Sequence, residues 1–192
     1  MKHILAAVLV LTAGTAQSDE FQTAMQDYLQ GEISGWMNDA TLVTAIKTQN
    51  AETAGYDQAK IDELDQTWRA FLGMDDAPII TAVVANPAAE FLRQKVASSD
   101  GVITEAFVMD ARGLNVAASV ATSDYWQGDE EKFTQTYPVG ADAVHYGEVG
   151  LDESTKEVQG QISVTITDPT TGETVGALTV GVSLTALSLK TG

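Results

Sequence analysis

At residue 102 the spacing of apolar side chains changes, and that change limits the folds open to this chain. Before it, apolar residues recur at intervals of three and four, the repeat of a helix face. After it they form short runs or alternate with polar residues, the repeat of a strand. Helices gathered in the first half and antiparallel hairpins in the second predict an α+β protein, with helices packed on one sheet.

Four helical segments precede the change. The first carries Phe21, Met25, Tyr28 and Leu29 on one face and weakens at Gly31 and Gly35. The second starts at Asp39, a natural N-cap, and continues with Leu42, Val43 and Ile46. The third is capped by Asp57 and has an apolar stripe of Ile61, Leu64, Trp68, Phe71 and Leu72, for which the second helix is the expected partner. Residues 79–84 are short and β-branched, which leaves helix and strand open. Asn86-Pro87 then opens a helix with Phe91, Leu92 and Val96 that ends at Asp100-Gly101.

Beyond it, residues 102–109 read as a strand buried on both faces and interrupted by Glu105. Residues 110–113 supply a turn, and Leu114, Val116, Ala118 and Val120 alternate along a returning strand. In a second hairpin Ile162, Val164 and Ile166 alternate with Gln161, Ser163, Thr165 and Thr167, the pattern of a half-buried strand. Turn residues fill 168–172, and residues 175–187 return with Leu178, Val180, Val182 and Leu184 on one face. About forty residues join the hairpins, too many for a structureless loop in a compact domain. A short helix over 129–135 and a strand near 147–151 are expected there.

The 192 residues suit one domain, with a helical part at 19–101 and a sheet part at 102–192. Residues 1–18 have the layout of a secretory signal peptide: Lys2 and His3, an apolar run, then small residues before Asp19. That run is too short to span a bilayer, and no later segment is apolar enough, so a periplasmic protein with no direct membrane insertion is expected. The formal net charge of −17 becomes one more negative when Lys2 leaves with the signal. Such a surface repels nucleic acid and anionic head groups. With no cysteine there is neither a disulfide nor thiol chemistry.

Outside the signal, His145 is the single histidine, so zinc and copper ligand sets cannot form within one chain. No Gly-x-Ser-x-Gly elbow, phosphate-cradling loop or dinucleotide fingerprint is present. Acidic residues are too plentiful for any pair to stand out, and Asp129-Glu130-Glu131 and Asp152-Glu153 read as solvated. No catalytic residue, metal or cofactor is expected. A hydrolase would need His145 beside a serine and a carboxylate.

One string stands apart: Thr122-Ser123-Asp124-Tyr125-Trp126-Gln127-Gly128-Asp129-Glu130-Glu131-Lys132-Phe133. Tyr125 and Trp126 offer flat walls, and Asp124, Gln127 and Asp129 offer directed polar contacts, the anatomy of a small-molecule site. An aromatic wall beside a carboxylate also suits an organic cation. Alternatively, Trp126 and Phe133 pack on the sheet while Asp129 caps the short helix.

This string, preceded by Met109-Asp110-Ala111-Arg112-Gly113-Leu114-Asn115-Val116-Ala117, resembles the extracytoplasmic Cache (PDC) sensor domains, which have a PAS-like fold. Gln49-Asn50, the run from Ile61 to Arg69, Gln161-Ile162-Ser163, Asp168-Pro169 and Val175-Gly176-Ala177-Leu178 extend the likeness over nearly all of the chain. The resemblance implies a five-stranded antiparallel sheet, a long N-terminal helix with additional helices, and a pocket between the sheet and the segment after its second strand. Family members bind amino acids, amines or carboxylates, usually as the outer part of a receptor or histidine kinase.

On that basis Phe107, Met109, Asp124, Tyr125, Trp126, Asp129, Lys132, Tyr137, His145 and Tyr146 are the expected ligand-binding residues. The chain has room for one PAS-like module. It departs from the family pattern in lacking the arginine-plus-Trp-Tyr arrangement of double-module amino-acid sensors, and a second membrane segment and output module. A single Cache sensor that reports to a membrane receptor or kinase is therefore expected. The alternative is a ligand-free adaptor working through its helical half. Homodimerisation through the N-terminal helices, common in the family, is left open.

Overall fold

The structure, a computed structural model, describes residues 13–151 and 158–191. Most of the expected signal segment and the Asp152-Glu153 pair lie outside the described residues. Helix α1 spans Ala13–Gly31 and is followed by a 3-10 turn at Ile33–Gly35. Then come α2 (Ala40–Thr53), α3 (Gln58–Phe71), α4 (Pro78–Val84) and α5 (Pro87–Ala97). Asp39, Asp57 and Asn86 cap α2, α3 and α5 by accepting the N–H groups of Thr41, Lys60 and Ala89. The stretch left open at 79–84 is helix α4, which Pro78 begins from the first turn, where its missing N–H costs nothing. No described helix is long and apolar enough to cross a membrane.

The sheet part contains β1 (Ile103–Met109), β2 (Asn115–Ala118), α6 (Glu131–Thr134), β3 (Val144–Tyr146), β4 (Gly150–Leu151), β5 (Val158–Thr167), β6 (Thr174–Ser183) and α7 (Leu184–Thr191). Five strands lie in the order β2-β1-β6-β5-β3, and the short β4 also pairs with β5. Every pairing is antiparallel, and both expected hairpins are present. The architecture is α+β, a five-stranded antiparallel path flanked by helices.

Register divides the sheet into two faces. Ala106, Val180 and Ile162 form one row across the strands, and Val108, Leu178 and Val164 the next. They join the main core, to which α1 contributes Met25 and Leu29, α2 Leu42 and Ile46, and α5 Ala89 and Leu92. On the other face Ala118, Phe107, Thr179, Ser163 and His145 stand in one row, with Met109, Ala177 and Thr165 in the next.

Four expectations are corrected. Strand β6 ends at Ser183, where the chain turns into α7 instead of running to 187; the Ser183 hydroxyl accepts the Ala186 N–H and starts that helix. Helix α3 packs on α4 and on residues 122–125 rather than chiefly on α2, because Trp68 points that way. Asp129 does not cap the short helix: α6 begins at Glu131, Glu130 holds the N-cap position, and its side chain makes no capping bond. Strand β5 is buried on both faces, since its polar Ser163 and Thr165 are covered like their apolar neighbours.

Candidate ligand site

The string at 122–133 is placed by the hairpin turn that precedes it. Asp110, fully buried, accepts the N–H groups of Arg112 and Leu114 and the side chains of Gln49 and Thr53 from α2. Asn50 accepts the Ala111 N–H at 2.7 Å and donates to the Val175 carbonyl at 2.8 Å, tying both hairpins to α2. Against this anchored turn the chain doubles back. The Asn115 N–H bonds the Tyr125 carbonyl, and the Gln127 N–H bonds the Gly113 carbonyl. Gly113 has φ +78, and a Cβ there would lie 2.5 Å from the Gly128 Cα, so turn and string touch backbone to backbone.

Helix α3 latches the string from outside. One Asp65 carboxylate oxygen accepts the N–H groups of both Tyr125 (2.9 Å) and Trp126 (3.1 Å), while the other accepts Arg69 at 2.8 Å. The buried Trp68 donates its indole N–H to the Thr122 carbonyl at 2.9 Å and stacks on Tyr125 with ring centroids 5.5 Å apart. These bonds consume the string's backbone polarity and turn its side chains to fixed faces.

The string and α6 then cover the second sheet face. Phe107, Met109, Tyr125 and Tyr137 gather there into one apolar cluster with Trp68, Val83, Ala177 and Phe133. Phe133 and Tyr137 stack at 5.6 Å. Burial holds the Tyr125 phenol well above its ordinary range. Lys132 stands at the edge of the cluster, its Nζ 5.5 Å from the Phe107 ring centre, 2.9 Å from Glu130 and 3.3 Å from the Gln127 amide oxygen. At the other end of the Phe107 row, His145 Nε2 lies 3.8 Å from Glu131. Between them the buried Ser163 and Thr179 hydroxyls bond each other at 3.0 Å. Thr165 Oγ1, in the neighbouring row, is buried and has no partner among the described residues.

Six of the ten expected site residues therefore share this face: Phe107, Met109, Tyr125, Lys132, Tyr137 and His145. The other four lie elsewhere. Trp126 donates its indole N–H to the Arg112 carbonyl at 2.8 Å and lies against Gly128, where a Cβ would come 2.3 Å from Nε1. Asp124 pairs with Arg69 at 3.3 Å and accepts Gln127 Nε2 and Ser123 Oγ. Asp129 is exposed. Tyr146 belongs to the opposite face, packed against the main core, where burial pushes its phenol up.

Sequence inspection missed the hydroxyl floor and the latch. The alternation along 161–167 signalled the first, but the polar side read as solvated. An Asp three residues before a Trp-Arg pair on α3 was the only trace of the second. Among the described residues no three His, Cys, Asp or Glu side chains converge as a metal site.

Concavities lie apart from the Phe107 row. A groove of about 410 Å³ runs between Val43, Thr44 and the Asp168 turn, with the Lys47–Asp168 ion pair in its wall, and one of about 500 Å³ adjoins it at Lys47, Asn50 and Glu173. A smaller one of about 220 Å³ lies between the end of α1 and residues 141–144.

No family model and no curated protein matches the chain. Solved structures give a distant likeness. The sensor domain of the V. cholerae histidine kinase DctB is 14% identical over 91% of this chain and 56% of that one, with a TM-score of 0.47. The ligand-binding domain of the Pseudomonas aeruginosa amino-acid chemoreceptor PctC, in complex with GABA, is 13% identical over 91% and 62%, with a TM-score of 0.41. That of the Campylobacter jejuni chemoreceptor Tlp3, in complex with 4-methylisoleucine, is 11% identical over 90% and 59%, with a TM-score of 0.42.

This chain thus spans between 56% and 62% of these domains. All three are sensor or ligand-binding domains.

Proposed function

We propose that this chain is a periplasmic sensor domain of the Cache type, which binds a small metabolite on the sheet face beneath α6 and reports occupancy to a membrane receptor or kinase. One observation carries this reading. One row across the sheet sets a histidine beside a buried hydroxyl pair, and α6 brings a lysine over Phe107 at the row's other side. Apolar walls with a few convergent polar groups are what a small-molecule site requires. The signal-like residues 1–18 support export.

A thermal-shift panel of amino acids, amines and organic acids tests the reading. A ligand at a hundredfold excess over its dissociation constant stabilises by about 2.7 kcal/mol. A shift from at least one class is expected, and silence across all three contradicts ligand sensing.

The ligand-free adaptor is a second reading, favoured by the Phe133–Tyr137 stack that fills part of the same face. The same panel separates the two, since an adaptor gives no shift.

A further inference from the structure

The two edges of the sheet are finished differently. At β2 the edge is taken up: the Asn115 N–H bonds the Tyr125 carbonyl, Leu114 bridges to Trp126, and Asn86 at the start of α5 donates to the Val116 carbonyl. At β3 the edge is open. Ala143 accepts the Thr165 N–H and Gly147 donates to the Gln161 carbonyl, so residues 143, 145 and 147 turn their main-chain groups inward to β5. The N–H and C=O groups of Val144 and Tyr146 therefore point outward, and among the described residues nothing bonds them. A lysine or proline within an edge strand blunts it against further pairing, and Val144-His145-Tyr146 contains neither.

Beside this edge lies the pocket of about 220 Å³ at the end of α1. The core row Val108, Leu178, Val164 ends on Val144, which is 40% exposed. Leu29, Met37, Ala141, Ala143 and Val164 line the pocket with it. One more strand along β3 would extend the row by a further side chain, set into that pocket. The space suits a branched apolar residue.

The opposite face of the edge is acidic. There the row ends at His145, with the Glu131 carboxylate 3.8 Å away and 75% exposed. Asp142 and Glu148 flank the strand, both exposed, and residues 138–150 hold no lysine or arginine. An occupant therefore needs apolar side chains towards Leu29 and basic ones towards Glu131. A second copy of a chain with net charge −17 would bring the same acidic flanks together, which favours a different partner.

We propose that the outer edge of β3 accepts an extended segment of a partner protein, with apolar and basic residues alternating, which pairs with Val144 and Tyr146 and seats one apolar side chain beside Leu29. This is recognition by strand addition, in which main-chain bonds supply affinity and side-chain pockets supply selection. The short edge limits the contact to a short segment. It gives the chain a place to meet another protein whether or not the Phe107 row holds a ligand.

The test uses the full chain and labelled heptapeptides in which Lys alternates with Val, Ile, Leu or Phe, read by fluorescence anisotropy at physiological salt. Saturable binding of at least one is expected. An added strand turns only every second amide to the edge, so N-methylation of one alternate set should weaken binding by about tenfold or more while the other set leaves it nearly unchanged. Val144→Pro removes an N–H that β5 does not use, so the fold should stand and peptide affinity fall by about tenfold. Val144→Lys, at an exposed side chain, keeps every main-chain group and sets like charge against the peptide; it should weaken binding whatever the proline does to folding.

Equal effects from the two methylated sets, the mark of adhesion by charge alone, overturn strand addition. Peptides with Glu in place of Lys that bind as tightly overturn the basic class. Unchanged affinity in Val144→Lys, or silence from every peptide, overturns the edge site. A chain that sediments as a dimer and becomes a monomer in Val144→Lys carries a second copy at this edge, which overturns the separate partner.

Discussion

Asp65 holds the string in place, and its replacement gives the sharpest test of how the site is built. One of its oxygens accepts two backbone N–H groups, at 2.9 and 3.1 Å, on a side chain only 13% exposed. Hydrogen bonds to a charged group are worth about 1.5–3 kcal/mol each. Allowing for water reaching the freed N–H groups, Asp65→Ala should cost about 3 kcal/mol. For a domain of this size that lowers the melting temperature by about 6–12 °C. Asp65→Asn keeps an oxygen facing both N–H groups and should retain most of that stability. Urea unfolding followed by tryptophan fluorescence gives the free energies, and amide exchange at Tyr125 and Trp126 localises the loss. If alanine costs less than about 0.5 kcal/mol, the range of an ordinary surface change, the latch does not exist. If asparagine costs as much as alanine, the carboxylate acts through its charge and not through these two bonds.

Three other outcomes follow from the same geometry. Gly128→Ala forces a Cβ to within 2.3 Å of the Trp126 indole nitrogen and 2.9 Å of the Arg112 carbonyl. It should destabilise by about 1–3 kcal/mol and shift Trp126 emission to the red, whereas an unchanged spectrum means the contact is absent. Thr165→Val removes a buried hydroxyl that lacks a partner, so it should stabilise the ligand-free protein by about 1 kcal/mol in urea unfolding; a loss of that size would mean the hydroxyl is already satisfied. Asp168 is held below the ordinary carboxylate range, first by its bond from Lys47 and then by the Thr170 N–H. Its contribution is therefore present above the unfolded carboxylate value of about 4 and lost as pH falls through the lower folded value. Asp168→Asn should flatten the acid limb of a pH–stability curve, and an unchanged limb refutes the coupling.

The elements with a strong period were legible in the sequence. Asp39, Asp57 and Asn86 announced their helices because a cap is a local interaction, and the two hairpins were announced by alternation around turn residues. What failed was governed by contacts distant in sequence. Ser163 and Thr165 read as a solvated side because alternation reports polarity and not cover, and α6 supplies the cover. The run from 175 kept its apolar rhythm past Ser183 because Leu184 and Leu187 are buried whether the chain stays extended or coils into α7. Among the candidate residues, Phe107 and Met109 came from the family resemblance, since a run buried on both faces assigns no side by its period; the register puts both on the face beneath α6. Trp126 could not be placed, since an indole serves equally as a pocket wall or as a clamp on a neighbouring carbonyl. Only the approach of Gly128 and the Arg112 carbonyl decides for the clamp here.

The central claim is that ligand binds on the Phe107–Thr179–Ser163–His145 row beneath α6. Its most direct test is a side-chain and amide NMR titration of the full chain with whichever compound of the thermal-shift panel binds most tightly. The account predicts saturable shifts at Lys132, Ser163, Thr179 and His145. Shifts confined to Lys47 and Asp168, or spread over exposed lysines without saturation, would contradict it.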